Sequence, residues 1–361
     1  MKTAVIGSSP LLLIEAYYRS CRGESVTVYE RTSYIGGSWA KRHLALPDGG
    51  IMEIECACHL LENRRGTYGY LENLGVALAD CRPQPHRLYY PSSFRLHYNS
   101  RLEDLRKSLF VFLSMIKGAV LGSPERVRDG LKNLRSLGSK LLVGIRGRKI
   151  RYFTGGSIVM IDRLLELCIE AGVKVELESD VKAVYIATSG RGHLCVGDAT
   201  NKFEHLVVGD ASIPKIFQIA PRQNVPVGES ARSSKHYHHH FLFEGDHRRL
   251  LSYIQFEGHP KLHRVSVTGY SSTGGDSYTA LSVNLRCPCS SSESLARLRD
   301  LVPSTRGLTK LGCLEDEFTS WDASRSWVEV KKMLPESAFT HLRSFGDLTR
   351  SFHAHGLARE D

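Results

Sequence analysis

The first thirty residues leave this chain few options. Thr3 to Ile6 is a short apolar run that ends at Gly7. After Ser8-Ser9-Pro10, apolar residues recur at helical spacing through Leu13, Ala16 and Tyr17 to about Cys21, Arg22-Gly23-Glu24 makes a turn, and Val26-Thr27-Val28-Tyr29 ends at Glu30. Strand, tight turn, helix, turn and strand in that length form a βαβ unit, which requires a parallel sheet. Pro10 suits the first turn of the helix, where a missing N–H costs nothing.

A βαβ unit with a glycine turn binds dinucleotides for physical reasons. Glycines permit the tight turn and the approach of backbone to pyrophosphate, and the helix N-terminus offers unpaired N–H groups. An acid about 20 residues beyond the turn accepts from the ribose. Glu30 is that acid. The turn itself departs from GxGxxG: Gly7 is present, Ser9 stands at the second glycine position and Leu12 at the third. The Ser8 and Ser9 hydroxyls are then the expected donors to a phosphate.

The continuation is more specific. Glu30-Arg31-Thr32-Ser33-Tyr34-Ile35-Gly36-Gly37-Ser38-Trp39 resembles the double-glycine signature of the superfamily that holds flavin amine oxidases, phytoene desaturases and UDP-galactopyranose mutases. Phe153-Thr154-Gly155-Gly156 and the segment through Gly172 and Asp180-Val181 to Val184 resemble the stretch that returns a strand to that family's FAD domain. Leu342-Arg343-Ser344-Phe345-Gly346-Asp347 resembles its closing motif. The resemblance implies an α/β protein with a Rossmann-like FAD-binding domain of the double-glycine type, a strand-rich substrate domain and a helical basic insertion. It implies FAD as cofactor, held by Gly7, Ser8, Ser9, Pro10, Glu30, Arg31, Gly36, Gly37, Ser38, Trp39, Val181, Gly346 and Asp347. Ala57-Cys58-His59 stands where the mutases place a Gly-Ala-His stretch against the flavin, which makes His59 a catalytic candidate. His259-Pro260-Lys261-Leu262-His263-Arg264 resembles the family's substrate-contacting strand pair, which makes Arg264 the second.

On this reading the chain divides into an FAD-binding segment with mixed strands at 1–100, a basic helical insertion at 101–150, and a second FAD-binding segment at 151–214. A strand-rich substrate domain at 215–335 and a last FAD-binding segment at 336–361 follow. The expected activity is amine-oxidase-like: flavin-dependent oxidation of a C–N or C–C bond in a small or anionic substrate. The alternatives are mutase-like flavin chemistry on a nucleotide sugar, a flavoenzyme modifying nucleic acid, and a degenerate FAD fold without catalysis.

Charge bears on the partner. The chain of 361 residues carries 48 Lys and Arg against 38 Asp and Glu, a net +10. Between Arg101 and Arg151 stand 13 of those bases and only 4 of the acids. Nearly all the excess therefore sits in one segment, which reads as a solvated helical face or as a surface that meets an anion. The anion would be a nucleotide-linked substrate or nucleic acid. Leu109 to Leu121, apolar with basic flanks, admits peripheral membrane contact or burial in the insertion. No apolar run reaches the roughly 18–20 residues of a membrane-spanning helix. Nine cysteines without CxxC spacing fit buried thiols in a reducing cytoplasm. His236, His238 and His240 alternate along one strand, and without flanking ligands no metal is expected.

Overall fold

A computed structural model describes residues 1–55, 61–62, 67–80, 86–89, 94–97, 120, 150–153, 156–220, 223–229, 231–248, 253–273 and 275–343. His59, Gly346, Asp347 and all of the basic insertion except Val120 and Ile150 lie outside the described residues.

The βαβ unit is present. It consists of β1 (Lys2–Ile6), a helix over Pro10–Cys21 and β2 (Ser25–Tyr29). A hairpin follows, β3 (Lys41–Ala45) with β4 (Ile51–Glu55). Short strands β5 (Leu61–Glu62), β6 (Leu78–Asp80), β7 (His86–Tyr89), β8 (Phe94–His97) and β9 (Ile150–Phe153) lead to a helix over Ser157–Glu170. Next come β10 (Lys174–Glu176), β11 (Val181–Ala187), β12 (Gly192–Val196), β13 (Ala199–Phe203), β14 (His205–Gly209), β15 (Ile216–Ala220) and β16 (Gln223–Asn224). The last part holds β17 (Arg232–Glu244), β18 (Tyr253–Glu257), β19 (Leu262–Thr273), β20 (Asp276–Leu285), β21 (Lys310–Asp322) and β22 (Phe339–Leu342).

The nucleotide-type sheet runs β10-β2-β1-β14-β22, every pair parallel. A parallel sheet must be covered on both faces, so its strands read as continuous apolar runs. Here Val5, Val28 and Val207 face the helices Pro10–Cys21 and Ser157–Glu170. Ala4, Ile6, Leu206 and Val208 face the opposite way, toward the second sheet β13-β12-β11-β15-β16 and the buried Trp327 of the helix Ser324–Met333. The result is three layers, helix, sheet and sheet.

The third large sheet runs β21-β17-β20-β19-β18-β7-β8. The helix Ser291–Leu301 covers one of its faces through Leu295 and Leu298. The β3–β4 hairpin covers part of the other, where Met52 and Ile54 meet Leu242 and Ala280. Ser290 is the N-cap of that helix and accepts from the Glu293 N–H at 3.2 Å.

A buried polar network ties the termini of the parallel sheet together. Arg19 lies between Glu15 (2.8 Å) and Glu24 (3.2 Å) and donates to Thr340 Oγ1 at 3.1 Å. Thr3 Oγ1 donates to Glu24 at 2.6 Å. His205 donates through Nδ1 to the Ser337 carbonyl, 2.7 Å away, and its Nε2 meets Thr340 Oγ1 at 2.9 Å. Buried charges hold only when paired in this way. The expectation of buried thiols needs correction. Of the described cysteines Cys168 is buried, Cys21 is exposed, and Cys195, Cys287, Cys289 and Cys313 are half-buried.

Burial makes several histidines acid-sensitive. Desolvation lowers His205, His240 and His263 to about 4 and His238 to about 3. In the unfolded chain an imidazole titrates near 6.5. As pH falls, the unfolded state takes up protons first. The stability is therefore fully present above pH ~6.5 and is lost between about 6.5 and about 4, or about 3 for His238. Urea midpoints measured across that window should fall steadily. His205→Asn, which removes one of the titrating rings, should make the decline shallower; an unchanged slope would show that His205 does not contribute.

Candidate functional site

The nucleotide-type site is assembled at the carboxyl end of the parallel sheet, where open α/β folds place their ligands. Gly7 leaves β1 at φ +100° and donates its N–H to the Tyr29 carbonyl at 2.8 Å. Ser9 is the helix N-cap in extended conformation, and its side chain makes no capping bond. Pro10 is the first helical residue, as the sequence predicts. Glu30 follows β2 and is buried, 7% exposed. Its carboxylate gathers two segments. Oε2 accepts from Ser8 N–H (3.0 Å) and Ser8 Oγ (2.6 Å). Oε1 accepts from Thr32 N–H and Thr32 Oγ1, both at 2.9 Å.

The double-glycine loop closes over this turn. Gly36 donates its N–H to the Ser8 carbonyl and to Ser8 Oγ, both at 3.1 Å. Gly36 sits at φ +102°, and a Cβ there would come within 3.3 Å of the Ala40 backbone. A short 3₁₀ turn, Gly37–Trp39, follows; Trp39 packs against the core under the first helix, while Ser38 and Arg31 are exposed. Val181 begins β11 and is buried. The chain just before it is bonded to the end of β2: Ser179 N–H donates to the Glu30 carbonyl at 2.8 Å and Glu178 N–H to the Thr32 carbonyl at 3.0 Å. Gly7, Ser8, Ser9, Pro10, Glu30, Gly36, Gly37 and Val181 are thus brought to one place.

Two features of the turn depart from the sequence expectation. Ser8 does not offer its hydroxyl to a phosphate, because that hydroxyl is engaged by Glu30. Leu12, at the third glycine position, is buried and reaches toward Gly7 and Gly209, at 3.2 and 3.5 Å from where their Cβ atoms would stand. Helix and strand are spaced by a leucine here. The donor set otherwise suits a dinucleotide: a helix N-terminus, a free capping hydroxyl, an acid after β2 and a second glycine segment.

A second buried acid supports the next helix. Glu55 Oε1 accepts the Ser157 N–H at 2.9 Å, at the N-terminus of the helix Ser157–Glu170. Gly156 stands at φ +92°, and a Cβ there would lie 2.6 Å from that carboxylate oxygen. The glycine of the Phe153–Gly156 segment is therefore required by close approach as well as by its dihedral.

Arg264 lies elsewhere, on β19 of the seven-stranded sheet. Registers place it opposite Asn284, Asn284 opposite His238, and His238 opposite Asp316. Directly opposed residues share a face, so these four form a polar row across four strands. Asn284 Nδ2 donates to His238 Nε2 at 3.1 Å. Burial and the neighbouring His240 and Arg264 hold His238 neutral. Asp316 is paired to Arg42 of β3 at 2.9 Å. Among the described residues no carboxylate pairs with Arg264. Asn284 and Asp316 carry no sequence signal that would single them out; only strand pairing brings them to Arg264. His236 stacks on Phe318 (ring centroids 4.8 Å) and His238 on His240 (5.9 Å). Among the described residues no group of three His, Cys, Asp or Glu is arranged to hold a metal ion.

A cavity of about 780 Å3 lies between the two regions, with Tyr34, Ile35, Arg42, Ile161, Leu177 and Phe318 in its wall. It runs from the double-glycine loop to the Asp316 end of the polar row. No helix among the described residues is long and apolar enough to cross a membrane.

Gly36→Ala should therefore destabilise the protein by roughly 1–3 kcal/mol, through a strained dihedral and a backbone clash. Gly37→Ala should cost less, because nothing lies within 4 Å of its Cβ position. Urea denaturation of both variants checks the order; equal costs would count against the close approach at Gly36.

No family model matches the chain, and none of the curated proteins matches it in sequence. Solved structures do match over nearly the whole length. Wild-type putrescine oxidase bound to putrescine is 13% identical, covers 95% of this chain and 93% of its own, and superposes with a TM-score of 0.60. An oxidoreductase from Methanosarcina mazei gives 14%, 95%, 94% and 0.57. A fatty acid isomerase from P. acnes that produces CLA gives 12%, 95%, 93% and 0.53. At these identities the likeness concerns the fold alone, which this chain shares with putrescine oxidase and the other two proteins.

Proposed function

We propose that this protein is an FAD-dependent oxidoreductase that oxidises a C–N or C–C bond of a small, anionic substrate. The observation that carries the reading is the convergence of Gly7, Ser9, Pro10, Glu30, Gly36 and Gly37 at the carboxyl end of one parallel sheet. The match to putrescine oxidase over nearly the whole chain supports it.

In this reading the N-terminus of the helix Pro10–Cys21 faces the diphosphate, with Ser9 Oγ as a further donor. Glu30 is the acceptor for the ribose. The backbone at Val181 lies beside the end of β2, where the adenine would rest. Gly36 and Gly37 bring a second backbone segment to the diphosphate. Gly346 and Asp347, outside the described residues, would close the site from the end of the chain, beyond β22. A flavin held there would supply the two-electron redox chemistry that such an oxidation needs.

The chain's own contribution to the substrate lies in the polar row. Arg264 supplies a guanidinium with no carboxylate partner among the described residues, which suits bidentate recognition of a carboxylate or phosphate. Asn284 and neutral His238 stand next to it as fixed hydrogen-bonding groups, and Asp316 is already held by Arg42. His59 is the candidate to meet the isoalloxazine ring. The basic segment 101–150 would add attraction for an anion and would make association sensitive to salt.

The first experiment is an absorption spectrum of the purified protein, as isolated and after incubation with FAD. Flavin bands are expected; protein that remains colourless in both states overturns the reading. The second is peroxide release with carboxylate-bearing amines compared with neutral amines. Arg264→Ala should raise KM for the carboxylate-bearing substrates about tenfold or more while changing kcat less. Equal effects on both substrate sets would remove Arg264 from anion recognition. Turnover without peroxide that requires prior reduction of the flavin would instead favour mutase-like chemistry.

A further inference from the structure

We infer that Ser8 and Thr32 occupy the acceptor positions on Glu30 that a nucleotide ribose needs, so that this chain sets its own affinity for the dinucleotide by an internal lock. The inference rests on the dinucleotide reading above and deepens it.

A carboxylate offers about four lone-pair directions. On Glu30 four donor groups approach them: the N–H and Oγ of Ser8 on Oε2, and the N–H and Oγ1 of Thr32 on Oε1. The Ser8 hydroxyl bond, at 2.6 Å, has the short length of a charge-assisted O–H···O⁻ bond. Thr32 Oγ1 also lies 2.7 Å from the Tyr34 carbonyl, so its one proton is shared between two acceptors. The carboxylate is buried, and Ser8 is 1% exposed. Glu30 is therefore satisfied by protein alone, which is what a buried charge requires in the absence of ligand.

A ribose hydroxyl that comes to Glu30 must displace one of these hydroxyls. The exchange is one charge-assisted bond for another, and the displaced serine is left buried. With glycine or alanine at position 8 the same ribose hydroxyl would fill an open acceptor site. Ser8 also reaches the third part of the site, because its Oγ and carbonyl both accept from Gly36 N–H. The lock thus joins the glycine turn, the acid and the double-glycine loop before any nucleotide arrives. The site is ordered without ligand, its ribose contact contributes little net affinity, and the dinucleotide exchanges readily.

The test compares the full-length protein with Ser8→Ala and Thr32→Ala after flavin has been stripped. Dissociation constants are measured for FAD by flavin fluorescence, and for ADP and 2′-deoxy-ADP by competition; melting curves are recorded without ligand. Ser8→Ala should lower the melting temperature of the ligand-free protein and yet tighten FAD and ADP about tenfold or more, the worth of one charge-assisted hydrogen bond. Discrimination of ADP over 2′-deoxy-ADP should rise in the same variant, which a structural role for Ser8 would not produce. Thr32→Ala opens one acceptor direction on the other carboxylate oxygen, which keeps the backbone N–H of residue 32; it should shift affinity in the same direction, and serves as the test if Ser8→Ala does not fold. Wild type that binds FAD while both variants bind it equally or more weakly overturns the lock and leaves the flavoprotein reading in place. Failure of all three proteins to bind FAD or ADP overturns both. Binding by the variants alone supports both.

Discussion

The architecture depends on β1. It is hydrogen-bonded to β2 on one side and β14 on the other, and both of its faces are buried. Such a strand cannot carry function along its length, because every side chain from Thr3 to Ile6 is buried. Function is left to its carboxyl end, where the backbone turns at Gly7 and the first helix begins. The second sheet and the helix Ser324–Met333 cover one face, and two helices cover the other. Those layers keep the ends of β1, β2 and β14 level, and that level edge lets Ser8, Glu30 and Gly36 meet.

The meeting has a cost that the protein covers internally. An acid buried behind a glycine turn needs donors whether or not a nucleotide is present. Here a serine between Gly7 and Ser9 and a threonine two residues past the acid supply the donors. These two hydroxyls, at positions that the glycine pattern leaves open, make the ligand-free site self-sufficient. Leu12 acts in a similar sense, filling between helix and strand the space that a glycine would leave for closer packing.

Distance from the nucleotide-type site separates two kinds of chemistry. At the turn, backbone and small side chains dominate. On the seven-stranded sheet, the polar row from Arg264 through Asn284 and His238 to Asp316 holds charge in fixed places, with Arg42 neutralising one end. Burial keeps His238 and His240 uncharged, so the row does not carry excess positive charge into the interior. The basic segment 101–150, with its bases far outnumbering its acids, accounts for most of the chain's net charge.

Much of the local structure was legible from residue pattern. The βαβ unit, Pro10 at the helix start, Glu30 after β2 and the double glycine all occur where spacing places them. These features depend on neighbours within a few residues, and local sequence determines them. Partners far apart in the chain were not legible. Ser8 and Glu30 are 22 residues apart, Glu55 and Ser157 are 102 apart, and Arg42 and Asp316 are 274 apart. Nothing in a serine's own surroundings says whether its hydroxyl will face a phosphate or a carboxylate. The sequence alone determined the βαβ unit and the place of its glycine turn, because periodicity and glycine positions are local. Only the tertiary structure decided which oxygens of Glu30 are already occupied and which residues stand beside Arg264, because strand register and loop closure select those partners.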